Sequence, residues 1–218
     1  MTSIVLELQK NTLDKSVLVS ELLRKAFLVA KKLKQNDFVD WLNYEINGYP
    51  KDGSYSNFPP YRKLQGTPQI FNPYHGYQPI IFSTQKQFLA YSVRHCYNSI
   101  PELEHMLVNS KSSGRFQMDY NAEITKHLMK AMDMDLHPTL MIQASSIAQI
   151  LDSIKNAILS WTLQLEEDGI LGEELSFTKE DQEKVISPIY NVTNFYGNVS
   201  NSQIQQGTKE SQQEIYSP

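Results

Sequence analysis

From Thr139 to Glu167 the apolar residues Leu140, Ala144, Ile147, Leu151, Ile154, Ile158, Trp161 and Leu165 recur at alternating spacings of four and three. An amphipathic helix keeps that period along a buried seam, so the rest of the chain has to supply elements that cover it. Gly169 ends the run. The segment SVLVSELLRKAFLVAKKLK, Ser16 to Lys34, sets Leu18, Leu22, Ala26, Ala30 and Leu33 on one face and sends Arg24, Lys25, Lys31, Lys32 and Lys34 elsewhere, as an amphipathic helix requires. After the cap-like break Gln35-Asn36-Asp37, Phe38, Trp41, Leu42 and Ile46 mark a second helix that stops at Asn47-Gly48, where a left-handed C-cap residue is expected. So short a connection implies two antiparallel helices. Helix is also predicted over 85–109, with Pro101 as a restart or kink, and over 119–132, with Ser112-Ser113-Gly114 as a turn between them. Thr178 reads as the N-cap of a short last helix, TKEDQEKVI, before Pro188.

Between Tyr49 and Phe82 the chain changes character. Six of the ten prolines (50, 59, 60, 68, 73 and 79) and eight aromatic residues fall there, and proline at that density forbids helix. The spacing predicts a β-hairpin or small sheet, with strands near 61–71 and 78–83 and turns at Asn72-Pro73 and His75-Gly76. Its aromatic rings need a surface, which the helical core would supply. The fold class expected is therefore mainly α: a helical bundle with a β insertion at about 50–83.

The end of the chain differs again. Ser187 to Thr208 contains no charged residue, yet keeps Ile189, Val192, Phe195, Tyr196, Val199 and Ile204. Disordered tails usually keep charge and shed such side chains. Tyr196-Gly197-Asn198-Val199 places Gly first in a two-residue turn, the signal of a type II′ hairpin, whose register would pair Tyr196 with Val199, Asn194 with Asn201 and Val192 with Gln203. An isolated hairpin is marginal in water, and a neutral edge lacks the charges that block edge pairing. Asn and Gln can also stack as ladders between identical strands. The expectation is a β-forming tail that drives self-association, with Val192, Asn194, Phe195, Tyr196, Gly197, Val199 and Ile204 as its contacts. The organisation expected is a helical domain at 1–186, the tail at 187–208 and a flexible end at 209–218.

Composition excludes several function classes. A formal charge of -4 and a pI near 5.7 argue against bulk attraction to nucleic acid, although RKAFLVAKKLK puts five cations in eleven residues and leaves a local phosphate contact open. No signal-peptide pattern and no long apolar run occurs, so a cytoplasmic protein without a membrane partner is expected. The single cysteine, Cys96, excludes an internal disulfide and a cysteine-based zinc site.

Catalytic patterns are sparse. Glu123/His127 and Glu102/His105 share helical faces, but two ligands do not make a metal site, and solvated surface pairs explain them; no metal and no cofactor is expected. Neighbouring His95 and Cys96 would point about 100° apart on a helix and so cannot act as a thiol-imidazole pair; Cys96 reads as a buried structural residue. No GxxxxGK[ST], GxGxxG or GxSxG sequence occurs. The tyrosine- and proline-rich segment is the better candidate for recognition, with Tyr61, Arg62, His75 and Tyr77 as binding residues, because a fixed guanidinium among tyrosines can hold a phosphate or carboxylate.

The run SELLRKAFLVAKKLKQNDFVDWLNYEINGY followed by PPYRKLQG, then ILDSIKNAILSWTLQLEEDGILGEELSF, then NFYGNVSNSQIQQGT, resembles the AbiTii family over Ser3 to about Thr208. The resemblance implies a part in abortive infection, a bacterial anti-phage defence in which the infected cell stops growing or dies. It brings no catalytic motif. Trp41 and Trp161 read as core residues, Gly48 and Gly169 as helix caps, and Arg62 as a partner for a helix carboxylate such as Glu45. The function expected is a non-enzymatic, self-associating defence protein that presents its helical domain to a phage or host protein. Two alternatives stay open: a toxin with a nuclease-like site near Arg62 and His75, and a sensor of a ligand or nucleic acid serving a separate effector.

Overall fold

The computed structural model of the protein describes residues 3–52, 54–109, 114–173 and 175–196. Helices dominate, as the hydrophobic periods require. The seam helix, α7 (Ala144–Glu167), runs through the centre with Ile147, Ile150, Ile154, Ala157, Ile158, Trp161 and Leu165 buried. Around it pack α1 (Ile4–Leu13), α2 (Val19–Lys32), α3 (Asn36–Asn47) and α5 (Ile100–Asn109). Gln9 of α1 fixes one crossing by donating its side-chain amide to the Thr162 carbonyl at 3.1 Å and to Glu166 Oε2 at 2.9 Å. Phe38 of α3 stacks on Trp161 with ring centroids 4.3 Å apart.

The seam is shorter than its period suggests. Residues Pro138–Gln143 form a strand, β6, and the helix begins only at Ala144. Its sequence, PTLMIQ, is buried at every position but the last; a short apolar run of this kind does not distinguish strand from helix by period. β6 is a central strand of a four-stranded antiparallel sheet ordered β3-β2-β6-β5, where β2 is Thr67–Asn72, β3 is Gly76–Pro79 and β5 is Arg115–Asp119. The expected hairpin is present as β2 and β3, with Asn72 Oδ1 accepting from Tyr74 N at 2.8 Å to close its turn. Gly66 precedes β2 where only glycine fits, because an added Cβ would lie 2.6 Å from the Met141 carbonyl oxygen.

The stretch from 85 to 109 is not one helix. α4 (Gln85–Ser92) ends in a short strand, β4 (Val93–His95), that pairs with β1 (Lys63–Gln65), and α5 then starts at Ile100. Cys96 consequently follows a strand, where it is buried as anticipated. α6 (Ala122–Met132) is capped by Asn121 Oδ1, which accepts from Ile124 N. α8 (Lys179–Lys184) opens on a capping box between Thr178 and Asp181. No helix among the described residues is long and apolar enough to cross a membrane.

The start of the neutral tail departs from the strand expectation. Val192 to Tyr196 form a short helix, α9, seated on the protein's own body. Val192, Phe195 and Tyr196 are buried at helical spacing: Phe195 meets Phe38 at 6.0 Å and Tyr196 stacks on Trp41 at 5.8 Å. Asn191 Oδ1 accepts from the Thr193 backbone and hydroxyl and starts the turn, while Asn194 donates to the Ile189 carbonyl at 3.2 Å. Val192, Asn194, Phe195 and Tyr196 are therefore helical residues of the folded body, with three of the four in its core. The helical body extends past 186 for the same reason. Gly197, Val199 and Ile204 lie outside the described residues.

Candidate functional site

Arg62 lies in a 3-10 turn, Pro60–Arg62, just before β1, and its side chain reaches inward to α3. Neither its side chain nor that of Glu45 has any solvent exposure. Arg62 Nη2 donates to Glu45 Oε2 and Nε donates to Oε1 at 3.4 Å, while Nη1 donates to the Asn98 carbonyl at 2.7 Å and the Cys96 carbonyl at 3.4 Å. Tyr49 and Tyr61 each donate a hydroxyl to Glu45 Oε1, at 2.6 and 2.7 Å, and Trp41 Nε1 donates to the Tyr61 hydroxyl at 2.8 Å. The guanidinium also lies over the Tyr49 ring.

Such a pair persists because each charge is met by several hydrogen bonds; a buried ion without them costs several kcal/mol. Burial opposes the charge on Arg62, but the Glu45 carboxylate outweighs it and holds the guanidinium above its ordinary range. Burial, reinforced by Glu45, pushes the Tyr49 and Tyr61 hydroxyls well up, so both stay donors. Burial also raises the Cys96 thiol, which keeps it from acting as a thiolate nucleophile. The pairing of Arg62 with Glu45 expected from the sequence is thus present, and it leaves this guanidinium no donor facing solvent. Tyr61 belongs to the same network through its hydroxyl.

His75 and Tyr77 lie elsewhere, at the turn and in the first half of β3. Tyr77 accepts from Gln117 Nε2 and packs against Phe71 at 5.1 Å. The four proposed binding residues therefore divide between two places: Tyr61 and Arg62 inside, His75 and Tyr77 on the hairpin. The histidine-carboxylate pairs are also spent separately. Glu102 caps α5 by accepting from Ser99 N, His105 bonds Asn109, and His127 stacks on Tyr91. In the basic run, Lys25 pairs with Glu7 at 2.8 Å and Lys31 covers the Phe27 ring.

Two surface features went unread in the sequence. The first is a cleft of about 630 Å³ between Pro60–Gln65 and α7, with Tyr61 and Tyr196 in its lining. Its polar wall includes Lys63, Gln65, Ser146, Gln149, Asp152 and Asn156; polar residues three and four apart beside the apolar seam were the available signal. The second is the β2–β3 hairpin. Leu64 to Gln85 contains no Asp, Glu, Lys or Arg, β3 is an outer strand of the sheet, and Tyr74 and Ile81 are 91% and 92% exposed, with Phe71 and Tyr77 partly so.

A family model for AbiTii matches residues 3–190. The chain belongs to the AbiTii family. Membership places it among abortive-infection proteins of anti-phage defence. The AbiTii match contains the whole Glu45–Arg62 centre, the hairpin and all of the cleft except Tyr196; it ends before NFYGNVSNSQIQQGT, so that block does not carry it. No curated protein sequence and no solved structure matches the chain.

Proposed function

We propose that this AbiTii protein works in abortive infection without catalysis, as a homo-oligomer whose copies meet through the uncharged β2–β3 hairpin and present the helical body to a phage or host protein. The observation that carries this reading is the pairing of an outer strand with exposed apolar side chains and no formal charge over Leu64–Gln85. Charges on an edge strand are a common guard against pairing with another chain. The opposite outer strand, β5, has them in Arg115 and Asp119. β3 has none.

β3 is only four residues long and ends in Pro79, so its backbone offers few hydrogen bonds to a partner. Side-chain contact through Phe71, Tyr74 and Ile81 contributes more, and two copies can bury the same patch against each other about a twofold axis. The neutral segment from Gly197 to Thr208 has the composition to add to such a contact. Its removal has to stop at Tyr196, because a chain ending at Ser187 would lack the α9 helix.

The test is phage protection by cells expressing the wild-type protein, Tyr74→Lys, Ile81→Lys, or a chain ending at Tyr196. Loss of protection in both lysine variants at unchanged abundance and helicity is the expected result. Full protection by both would contradict the reading. Loss in the shortened chain alone would move the contact from the hairpin to residues 197–208.

A further inference from the structure

The cleft beside Tyr61 has a wall whose chemistry the bundle does not need. Along α7 the core stripe is flanked on one side by Ala148, Leu151, Lys155 and Leu159, which are half-buried and continue the packing with aliphatic groups. The other flank, at spacings of three, four and three, is Ser146, Gln149, Ser153 and Asn156, and it faces the cleft. On this flank Ser153 is buried, Ser146 half-buried, and Gln149 and Asn156 open to the cleft. Packing alone would accept aliphatic or long charged side chains at either flank. The cleft flank instead holds uncharged hydrogen-bonding groups.

Most of these groups are unspent. The Ser153 hydroxyl donates to the Gln149 carbonyl at 2.8 Å, but Lys63, Gln65, Ser146, Asp152, Asn156 and the Gln149 amide have no side-chain hydrogen bond or ion pair among the described residues. A cleft of about 630 Å³ lies within the roughly 300–1,000 Å³ that holds a small-molecule ligand. Three kinds of group then converge on one cavity. Carboxamides from both walls, Gln65 against Gln149 and Asn156, can meet the edge of a nucleobase in paired hydrogen bonds. Asp152 can accept from a sugar diol, as acidic residues do in nucleotide sites. Among the described residues Lys63 supplies the only cation in the lining, enough for one phosphate group and too few for a polyphosphate or a nucleic-acid backbone.

We infer that this cleft binds a nucleoside monophosphate, with the base held by the carboxamides, the ribose by Asp152 and the phosphate by Lys63. The site is separate from the hairpin and does not depend on the oligomer. A ligand seated there touches Tyr61, and through it the Glu45–Arg62 centre, and Tyr196, the last residue of α9.

The test is thermal unfolding of the full chain with AMP, GMP, CMP or UMP, with the matching nucleosides, and with inorganic phosphate alone. At least one monophosphate should raise Tm by roughly 3–6 °C at about tenfold above its Kd. Its nucleoside should give a smaller shift, and phosphate alone should give none. Asn156→Ala and Gln149→Ala, both at exposed positions and so expected to fold, should weaken that monophosphate roughly 5- to 100-fold. Lys63→Ala should erase the advantage of monophosphate over nucleoside. No shift with any mononucleotide overturns the inference. So does a shift that survives all three substitutions, or one that phosphate alone reproduces.

Discussion

The proline- and aromatic-rich segment contains two regions that look alike as sequence and behave in opposite ways. In residues 49–62 the rings turn inward: Tyr49, Tyr55 and Phe58 pack on one another and on Tyr44, His95 and Tyr97, and Tyr49 and Tyr61 close on a buried ion pair. In residues 66–82 Phe71, Tyr74, Tyr77 and Ile81 face outward to varying degrees. What separates them is a partner for charge. Arg62 finds Glu45 on α3, and that pair draws its tyrosines in. The hairpin has no charge to satisfy. Aromatic density does not say which way the rings face; the fate of the nearest charge does.

The largest effect should come from splitting the inner pair. Arg62→Ala or Glu45→Ala leaves a buried charge without its counterion and should cost about 3–5 kcal/mol, measured by denaturant unfolding. Replacing both, Glu45→Leu with Arg62→Met, removes the lone charge but leaves the Tyr49 and Tyr61 hydroxyls and the Asn98 carbonyl without their partners, so only part of that loss should be recovered. Next, Phe195→Ala should destabilise the fold by about 3 kcal/mol, since the ring is 8% exposed against Phe38. If residues 192–196 served association alone, that variant would change the oligomer and spare the fold.

Alkali probes the buried hydroxyls together. Burial lifts Tyr120 and Tyr196 from an ordinary value of 10.0 to about 12, and lifts Tyr49 and Tyr61 further. A raised acid keeps its proton in the folded state after the unfolded chain has lost it. Its stabilising contribution is complete below about pH 10 and is lost as pH rises through 12 and beyond. Unfolding followed against pH should therefore show stability falling from pH 10 upward. Smaller again is Tyr61→Phe, which strips Trp41 Nε1 of its acceptor and Glu45 of one donor; about 1–3 kcal/mol is expected. Tyr74→Lys and Ile81→Lys should move the stability of the monomeric fold itself, compared at protein concentrations too low for association, by no more than about 0.5 kcal/mol.

The two regions were unequally legible. α2, α3 and the end of α7 follow from clear helical periods, and Gly48 and Gly169 have the positive φ expected beyond those helices. The Arg62–Glu45 pair was legible as a pairing, because a charge among core aromatics needs a counterion. β4, β5 and β6 were not. Each is short, and β6 is buried at every position but its last, so neither alternation nor length marks it as strand. In the tail, the Gly197 turn signal outweighed the spacing of Val192, Phe195 and Tyr196, whose intervals of three and one are those of a helical face. The cleft escaped notice because its walls come from residues 60–65 and 146–156, which only folding brings together.

The outward region is tested most directly by its mass in solution. Light scattering coupled to size exclusion on the wild-type chain, Tyr74→Lys and Ile81→Lys should give an oligomer for the first and folded monomers for the two variants. A wild-type monomer, or an oligomer that survives both lysines, would contradict assembly through the hairpin.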